Sequence, residues 1–177
     1  PRDFKARLRP YQKGGFDFLA HASDLGIGTI LADDMGLGKT VQALAWLAHL
    51  RAMDADGGPS LVVCPASVMG NWMREASRFA PGLRAVLLDR GAERHLLRAG
   101  LSEYDLVVTN DTLLRHDADA WAGIALRALV LDEAQNLKNP DAAVTRVTQR
   151  LTARYRLALT GTPLENRALD LWSIMNV

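Results

Sequence analysis

Residues 32–40, ADDMGLGKT, come close to the phosphate-binding pattern G-x-x-x-x-G-K-[ST], with Asp33 in place of the first glycine. In this pattern, backbone N–H groups at a helix start bind phosphate oxygens, the lysine contacts the β- and γ-phosphates, and the hydroxyl holds Mg²⁺. Lys39 and Thr40 would supply these two side chains. Because aspartate tolerates left-handed backbone angles, we expect Asp33 to weaken the match without abolishing it.

An acidic pair follows an apolar run further along the chain. The sequence RALVLDEAQ contains Asp132 and Glu133 directly after the run. In such a pair one carboxylate can hold Mg²⁺ while its neighbour orients or deprotonates the attacking water. Each stretch alone has an ordinary explanation, a chance glycine-rich turn for GLGKT and common turn chemistry for the acidic pair. Together they favour a nucleotide hydrolase.

The apolar pattern predicts an α/β fold that would position both stretches. Apolar runs of strand length occur at 28–32, 60–64, 83–88, 104–109, 127–132 and 154–160. Helical patterns lie between them, most clearly at 40–53, 67–80 and 142–153. This order predicts a mostly parallel sheet with helices on both faces. Ligands bind such sheets at the carboxyl ends of the strands, where both candidate stretches fall.

Composition narrows the class of protein. A chain of 177 residues that is 49% hydrophobic fits one globular domain. The start, PRDFKARLRP, has neither an initiator Met nor an apolar run, so we expect a segment of a longer chain, without a signal peptide. No apolar run reaches the roughly 18 residues of a membrane span, and we expect no membrane partner. The single Cys64 suits a reducing compartment and a place in the core.

The net charge of +1 does not by itself indicate a nucleic-acid binder. Arginines recur every four residues at Arg90, Arg94 and Arg98, and again at Arg74 and Arg78. We interpret this spacing as a solvated helix face, with a DNA-contacting stripe as the alternative.

Five segments carry a family resemblance. They are LRPYQ (8–12), ADDMGLGKT (32–40), LVVCPASVMGNW (61–72), LDEAQNLKNP (131–140) and LALTGTPLENRALDLWSIM (157–175). Their order and spacing resemble the first RecA-like lobe of the Swi/Snf-type DNA-translocating ATPases of helicase superfamily two. In that family an Asp at position 33 is usual, and TGTPLENRALDLW is the most specific segment. The resemblance implies a RecA-like three-layer domain across 1–177, with the second lobe outside this chain.

The resemblance implies a site for ATP. Gln12 would recognise the adenine edge, with Arg9 or a nearby aromatic residue covering the base. The phosphate loop would consist of Gly36, Leu37, Gly38, Lys39 and Thr40.

It also implies the catalytic groups. Asp132 and Thr40 would hold Mg²⁺, and Glu133 would be the general base. Lys39 would act on the β- and γ-phosphates, and Gln135 would help to sense the γ-phosphate across the interface between lobes.

The resemblance further implies contacts with double-stranded DNA from loops that follow two strands. The residues implied are Pro65 to Ser67 with Asn71 and Trp72, and Thr109 to Thr112, while Thr160, Gly161 and Thr162 would couple nucleotide state to DNA grip. Hydroxyl groups and N–H groups at helix starts suit phosphate contacts, but helix capping by Ser67 and Asp111 explains them equally well. We interpret Trp72 and Trp172 as core or interface residues. The segment TNDTLLR departs from the Tyr-containing version common in the family.

These expectations add up to one lobe of an intracellular DNA-dependent ATPase, in the cytoplasm, nucleoid or nucleus, that translocates on duplex DNA to remodel protein–DNA complexes. The second lobe of the same polypeptide and a DNA-bound protein complex would be its partners. Because an arginine finger is worth about 10³ to 10⁵ in turnover, we expect the chain alone to bind ATP and barely hydrolyse it.

Three alternative classes stay open. They are another superfamily-two lobe, from an RNA helicase or a restriction-type translocase, a phosphate-loop kinase or GTPase, and a non-hydrolysing scaffold. DEAQ in place of DEAD, together with TGTPLENR, disfavours an RNA helicase, and the absence of an N-K-x-D motif disfavours a GTPase. The intact Lys39, Thr40, Asp132 and Glu133 count against a scaffold.

Overall fold

Six strands form one parallel sheet in the computed structural model, which describes residues 4–34, 36–89, 100–121, 123–134 and 143–161. The strands are β1 Thr29–Leu31, β2 Ser60–Val63, β3 Ala85–Leu87, β4 Leu106–Thr109, β5 Leu126–Leu131 and β6 Ala153–Leu159. Their order is β1-β6-β5-β2-β4-β3, and every pairing between them is parallel. The predicted strands and their parallel arrangement are confirmed.

Helices connect the strands. They are α1 Pro10–Asp24, α2 Lys39–Met53, α3 Ala66–Phe79, α4 Asp111–His116, α5 Ala118–Trp121 and α6 Ala143–Arg150, with a 3₁₀ turn at Leu101–Glu103. The predicted helices at 40–53 and 67–80 match α2 and α3. The third helix is shorter than predicted, because β6 already begins at Ala153. None of the helices within the described ranges is long and apolar enough to cross a bilayer.

The apolar pattern does not predict α1. Two adjacent glycines, Gly14 and Gly15, lie in its interior, and glycine is a poor helix former. Packing against the rest of the domain overrides this weakness, because α1 lies against α2 and places Leu19 in the core.

The core lies on both faces of the sheet, as predicted. Along β5, Ala128 and Val130 pack into one cluster with α2 and α3, and Leu129 and Leu131 pack into another with α4 and α5. This alternation explains why every residue of β5 is apolar or shielded, since neither face of the strand meets water. Cys64 lies buried beyond the end of β2, which confirms its predicted place in the core.

The register aligns the carboxyl ends of five strands. The terminal pairs are Leu31 with Leu159, Ala158 with Leu131, Leu131 with Val63, and Val63 with Thr109. The loops that follow β1, β6, β5, β2 and β4 therefore leave the sheet along one edge. The candidate site residues that follow described strands lie on these loops or just beyond them.

The two glycines of α1 test how this helix packs. A Cβ at Gly14 would meet nothing within 4 Å, whereas a Cβ at Gly15 would collide with Oε1 of Gln42 on α2. Gln42 is 0% exposed and its amide nitrogen donates to the Asp33 carboxylate at 3.1 Å, so it cannot move aside freely. We expect Gly14→Ala to stabilise the folded chain by about 0.5–1 kcal/mol through helix propensity. Gly15→Ala should destabilise it by about 1–3 kcal/mol through overpacking.

Urea unfolding of the two variants and the parent chain measures both effects. Shifts of the same sign and size in the two variants would contradict the described packing of α1 on α2.

Candidate functional site

The loop between β1 and α2 turns at two glycines with left-handed backbone angles. Gly36 has φ 85° and Gly38, the N-cap of α2, has φ 78°. A side chain at either position would be strained, so glycine is required in this conformation. No side chain caps the helix, which begins at Lys39. The first N–H groups of α2 therefore face the loop without a side-chain acceptor, as anion binding at a helix start requires.

Asp33 does not play the predicted conformational role. We expected it to tolerate a left-handed backbone, but Glu133 is the only non-glycine residue with a positive φ in the described part of the chain. Instead the Asp33 carboxylate accepts a hydrogen bond from the amide nitrogen of Gln42 at 3.1 Å. Asp33 thus ties the loop to α2 through its side chain, which a glycine could not do.

Lys39 folds over the same loop. Its ammonium group donates to the carbonyl oxygens of Asp33 at 2.7 Å and Asp34 at 3.0 Å. Its charge is also close enough to the carboxyl of Asp132 to help lower the pKa of that group. The lysine is therefore held within its own loop by hydrogen bonds, and its charge acts on the acidic pair after β5.

Gln12 connects α1 to the phosphate-loop candidate. Its Oε1 accepts from the backbone N–H of Arg9 at 2.9 Å, and its Nε2 donates to the carbonyl oxygen of Leu37 at 3.1 Å. A Cβ at Gly38 would lie only 2.5 Å from Gln12 Nε2, which is a second reason for glycine at that position.

A pocket of about 440 Å³ opens beside Gln12, a size common for small-molecule sites. Its lining consists of Lys5, Ala6, Arg7, Leu8, Gln12, Gly38, Val41, Glu75 and Phe79. Arg9, predicted to cover the base, begins α1 and does not line this pocket. Sequence reasoning missed Arg7 and Phe79, although it allowed for a nearby aromatic residue. The sequence signal that could have found Phe79 is its place at the end of α3. In the structure its carbonyl oxygen accepts a hydrogen bond from the backbone N–H of Lys5 at 2.7 Å.

The acidic pair directly follows β5. Asp132 and Glu133 line a pocket at the carboxyl ends of β2 and β5, together with Val63, Cys64, Pro65, Asp111, Leu131 and Val144. The structure thus brings the two candidate catalytic acids beside Pro65, one of the predicted DNA contacts. Glu133 has φ 53°, a strained conformation for a residue with a side chain, and such strain is found preferentially at functional sites.

Asp132 is held by two hydrogen bonds. Its Oδ1 accepts from the backbone N–H of Glu133 at 2.9 Å, and its Oδ2 accepts from the indole N–H of Trp72 at 2.8 Å. Burial raises the pKa of Asp132, and the negative charge of Glu133 adds to this, while the Trp72 and Glu133 N–H groups and the charge of Lys39 lower it. The net direction is upward, and a bound cation would lower this pKa again because it stabilises the ionised form.

The donor set fits Mg²⁺ in a nucleotide complex. The described residues contain no cluster of three or more His, Cys, Asp or Glu side chains that could hold a metal alone. Mg²⁺ in nucleotide sites takes one or two protein oxygens and completes its shell with water and phosphate oxygens. Asp132, with both oxygens oriented, and the Thr40 hydroxyl at the start of α2 are suitable donors of this kind.

The predicted DNA contacts after β2 lie at the start of α3. Pro65 is its N-cap, Ser67 is exposed in its first turn, and Asn71 lies one turn further. No side chain caps this helix, so the alternative prediction that Ser67 is the cap is wrong. Asn71 donates to Glu75 at 3.0 Å and accepts from Arg74 at 3.3 Å, which places a small polar network on the outer face of α3.

The predicted contacts after β4 are less accessible. Thr109 is 0% exposed and its hydroxyl donates to the carbonyl oxygen of Leu88 at 3.1 Å, so its side chain is held inside the protein. The N-cap of α4 is Asn110, whose side chain accepts from Leu113 N–H at 3.0 Å, and the prediction of Asp111 as cap is wrong by one residue. Thr112 is half-buried in α4.

Some of the remaining predicted residues lie in the described part of the chain and others lie outside it. Thr160 is buried after β6, where its backbone N–H donates to the carbonyl oxygen of Leu31 at 3.2 Å, and Gly161 follows it. Outside the described residues lie Gln135, Thr162, Trp172, Arg90, Arg94 and Arg98. Trp72 is buried, as predicted for a core residue.

Cys64 lies in this region without being a candidate nucleophile. Burial raises the pKa of its thiol to about 12, and the negative charge of Asp132 contributes. The thiol is therefore protonated at neutral pH, and only the thiolate form is reactive.

The fold and the site define a RecA-like α/β domain with a phosphate-loop sequence after its first strand and an acidic pair after β5. The SNF2-related domain family matches residues 11–177, so the chain belongs to that family. A solved Sulfolobus solfataricus SWI2/SNF2 ATPase core in complex with dsDNA superposes with a TM-score of 0.89 and is 43% identical, covering 98% of this chain and 36% of its own.

Two curated relatives agree with this assignment. A putative ATP-dependent helicase/translocase, YwqA of Bacillus subtilis, is 40% identical over 176 residues, which is 98% of this chain and 19% of the relative. The ISWI chromatin-remodeling complex ATPase CHR11 of Arabidopsis thaliana is 37% identical over 180 residues, which is 99% of this chain and 17% of the relative. The chain therefore spans less than a fifth of the length of either relative.

The left-handed backbone at Glu133 can be tested by stability alone. Glycine is normally less stable than alanine inside ordered structure by about 0.5–1 kcal/mol. At φ 53° the order should reverse, because alanine has a Cβ that disfavours this conformation by about 1–2 kcal/mol. We expect Glu133→Gly to be more stable than Glu133→Ala by about 1 kcal/mol, since both variants lack the carboxylate and differ only in the Cβ.

Chemical unfolding of the two variants under identical conditions gives this difference. If Glu133→Ala proved the more stable of the two, Glu133 would not occupy the described backbone conformation.

Proposed function

We propose that this chain is the ATP-binding first lobe of a DNA-dependent ATPase that moves along double-stranded DNA. The observation that carries the proposal is the convergence of the glycine-rich loop after β1 and the acidic pair after β5 at one edge of the sheet. Membership of the SNF2-related family supports the same activity. The names of the relatives, a DNA-bound ATPase core, a helicase/translocase and a chromatin-remodeling ATPase, support duplex DNA as the track and a DNA-bound protein complex as a target.

ATP would lie across the loop between β1 and α2, with its base in one site and its phosphates in another. The adenine would enter the pocket beside Gln12, where the aromatic ring of Phe79 offers an apolar surface and Gln12 a polar edge. Its phosphates would reach the N–H groups at the start of α2. Lys39 would then exchange its bonds to the carbonyl oxygens of Asp33 and Asp34 for bonds to phosphate, which is favourable because charged acceptors bind an ammonium more strongly.

The acidic pair would carry the hydrolysis. Mg²⁺, when bound, neutralises charge on the β- and γ-phosphates. Asp132 and the Thr40 hydroxyl would hold the ion, and Glu133 would accept a proton from the attacking water. Gln135, which lies outside the described residues, keeps its proposed part in sensing the γ-phosphate. A second RecA-like lobe would supply the arginine finger.

Duplex DNA would contact the start of α3. Ala66 and Ser67 are exposed, and Pro65 and Asn71 are half-buried beside them, so their backbone and polar side-chain groups suit phosphate contacts that carry no sequence information. The Thr109 hydroxyl is not included, because it is buried and already donates to Leu88. Thr112 would remain a DNA contact after β4, while Thr160 and Gly161, with Thr162 outside the described residues, would relay nucleotide state to the DNA contacts. A DNA track also places the protein in an intracellular compartment that holds DNA.

Steady-state ATP turnover of the full-length protein tests the proposal. We expect duplex DNA to stimulate turnover more than single strands or RNA do. Glu133→Gln should lower DNA-stimulated turnover by at least about 100-fold while nucleotide binding stays nearly intact, because the base is lost and the binding groups remain. Lys39→Ala should weaken nucleotide binding as well, since it removes the phosphate-binding cation.

Each part of this experiment has a result that would contradict the proposal. Equal or greater stimulation by RNA would favour an RNA helicase, and unchanged turnover of Glu133→Gln would remove this residue from the mechanism. A parent protein that binds nucleotide without turning it over would favour the scaffold.

A further inference from the structure

Trp72 makes a long-range contact with the acidic pair. Its indole N–H donates to Asp132 Oδ2 at 2.8 Å, across 60 residues of sequence. The ring is 1% exposed and packs in the same core cluster as α2 and the inner strands. The bond therefore joins the middle of α3 to the residue directly after β5.

This bond fixes the orientation of the Asp132 carboxylate as well as the position of the Trp72 ring. The indole N–H can only donate, so it always presents its hydrogen to an acceptor oxygen of Asp132. The backbone N–H of Glu133 holds the other oxygen at 2.9 Å. With one donor on each oxygen, the carboxylate plane is set from two sides, and each oxygen keeps a lone pair for a further partner.

The donor belongs to the helix that starts at the proposed DNA contacts. Trp72 follows Asn71 directly, and the two side chains differ in surroundings, since Asn71 lies in the outer polar network and Trp72 in the core. The same helix of 14 residues therefore carries the Pro65 to Ser67 turn at its start and, in its middle, the bond to the proposed Mg²⁺ ligand.

We propose that Trp72 is a positioning residue of the ATPase site, whose indole N–H orients the Asp132 carboxylate for Mg²⁺. The inference rests on the proposed function of Asp132 as a metal ligand. Hydrogen-bond partners of metal ligands typically contribute about 10- to 100-fold in metal affinity, because they hold the ligand in its binding orientation.

The alternative is that Trp72 only fills the core. Trp46 provides a matched control for that role, because it lies in the same cluster, is also 1% exposed, and donates its indole N–H at 2.8 Å to Ser23 Oγ, away from the acidic pair. Replacing either ring by Phe removes one indole hydrogen bond of 2.8 Å, partly buried for Trp72 and buried for Trp46, and the same side-chain volume. A purely structural role for Trp72 therefore predicts the same consequences for both variants.

The experiment is a Mg²⁺ titration of nucleotide binding, followed by the fluorescence of a labelled ATP analogue on the full-length protein. We expect Trp72→Phe to raise the half-saturating Mg²⁺ concentration by about 10-fold and Trp46→Phe to change it less than twofold. A metal-independent measurement, binding of the same analogue in the presence of EDTA, should differ little between the two variants, since neither residue contacts the nucleotide pocket.

A second variant covers the case in which Trp72→Phe does not fold. Replacement of Trp72 by 3-benzothienylalanine keeps the ring shape and exchanges the N–H for sulfur, so only the donor is lost, and the same 10-fold change is expected. Equal Mg²⁺ dependence of the Trp72 and Trp46 variants would overturn the inference while leaving the proposed function standing. A parent protein whose nucleotide binding does not respond to Mg²⁺ would overturn both.

Discussion

The parallel direction of all six described strands is the constraint on which the site depends. Because all of these strands run in the same direction, they end at the same edge, and the register places Leu31 beside Leu159, Ala158 beside Leu131, and Leu131 beside Val63. Residues far apart in sequence, such as Val63 and Leu131, become neighbours as a result. Helices pack on both faces of this sheet, and ligands bind such sheets at the carboxyl ends of their strands.

Within that edge, opposing effects meet at Asp132. Burial raises the pKa of its carboxyl, whereas two N–H donors and the charge of Lys39 favour the ionised form. A divalent cation would also favour the ionised form, as the two N–H donors and Lys39 do. The site is therefore suited to bind metal together with a nucleotide that brings its own negative charge. Beside it, the left-handed backbone of Glu133 shows that the chain accepts local strain to turn this residue at the end of β5.

Local pattern was sufficient to predict the strands, because fully buried parallel strands are continuous apolar runs such as ALVL and LVVC. It also found the two chemical stretches, whose residue types and spacing are local properties. It missed α1, where tertiary packing outweighs the propensity of Gly14 and Gly15. Contacts across long sequence separations, such as Gln12 with Leu37 or Trp72 with Asp132, have no local signature, and the backbone angle of Glu133 has none either.

The central claim is that ATP lies along this edge, with its base beside Gln12 and its phosphates at the start of α2. Hydrogen–deuterium exchange of the full-length protein, with and without Mg²⁺ and a non-hydrolysable ATP analogue, tests it most directly. Amides of residues 36–41 should exchange at least about 10-fold more slowly in the complex, because phosphate oxygens accept their hydrogen bonds, and the segment 5–12 should also be protected. Bound nucleotide that leaves the exchange of both segments unchanged would contradict the account.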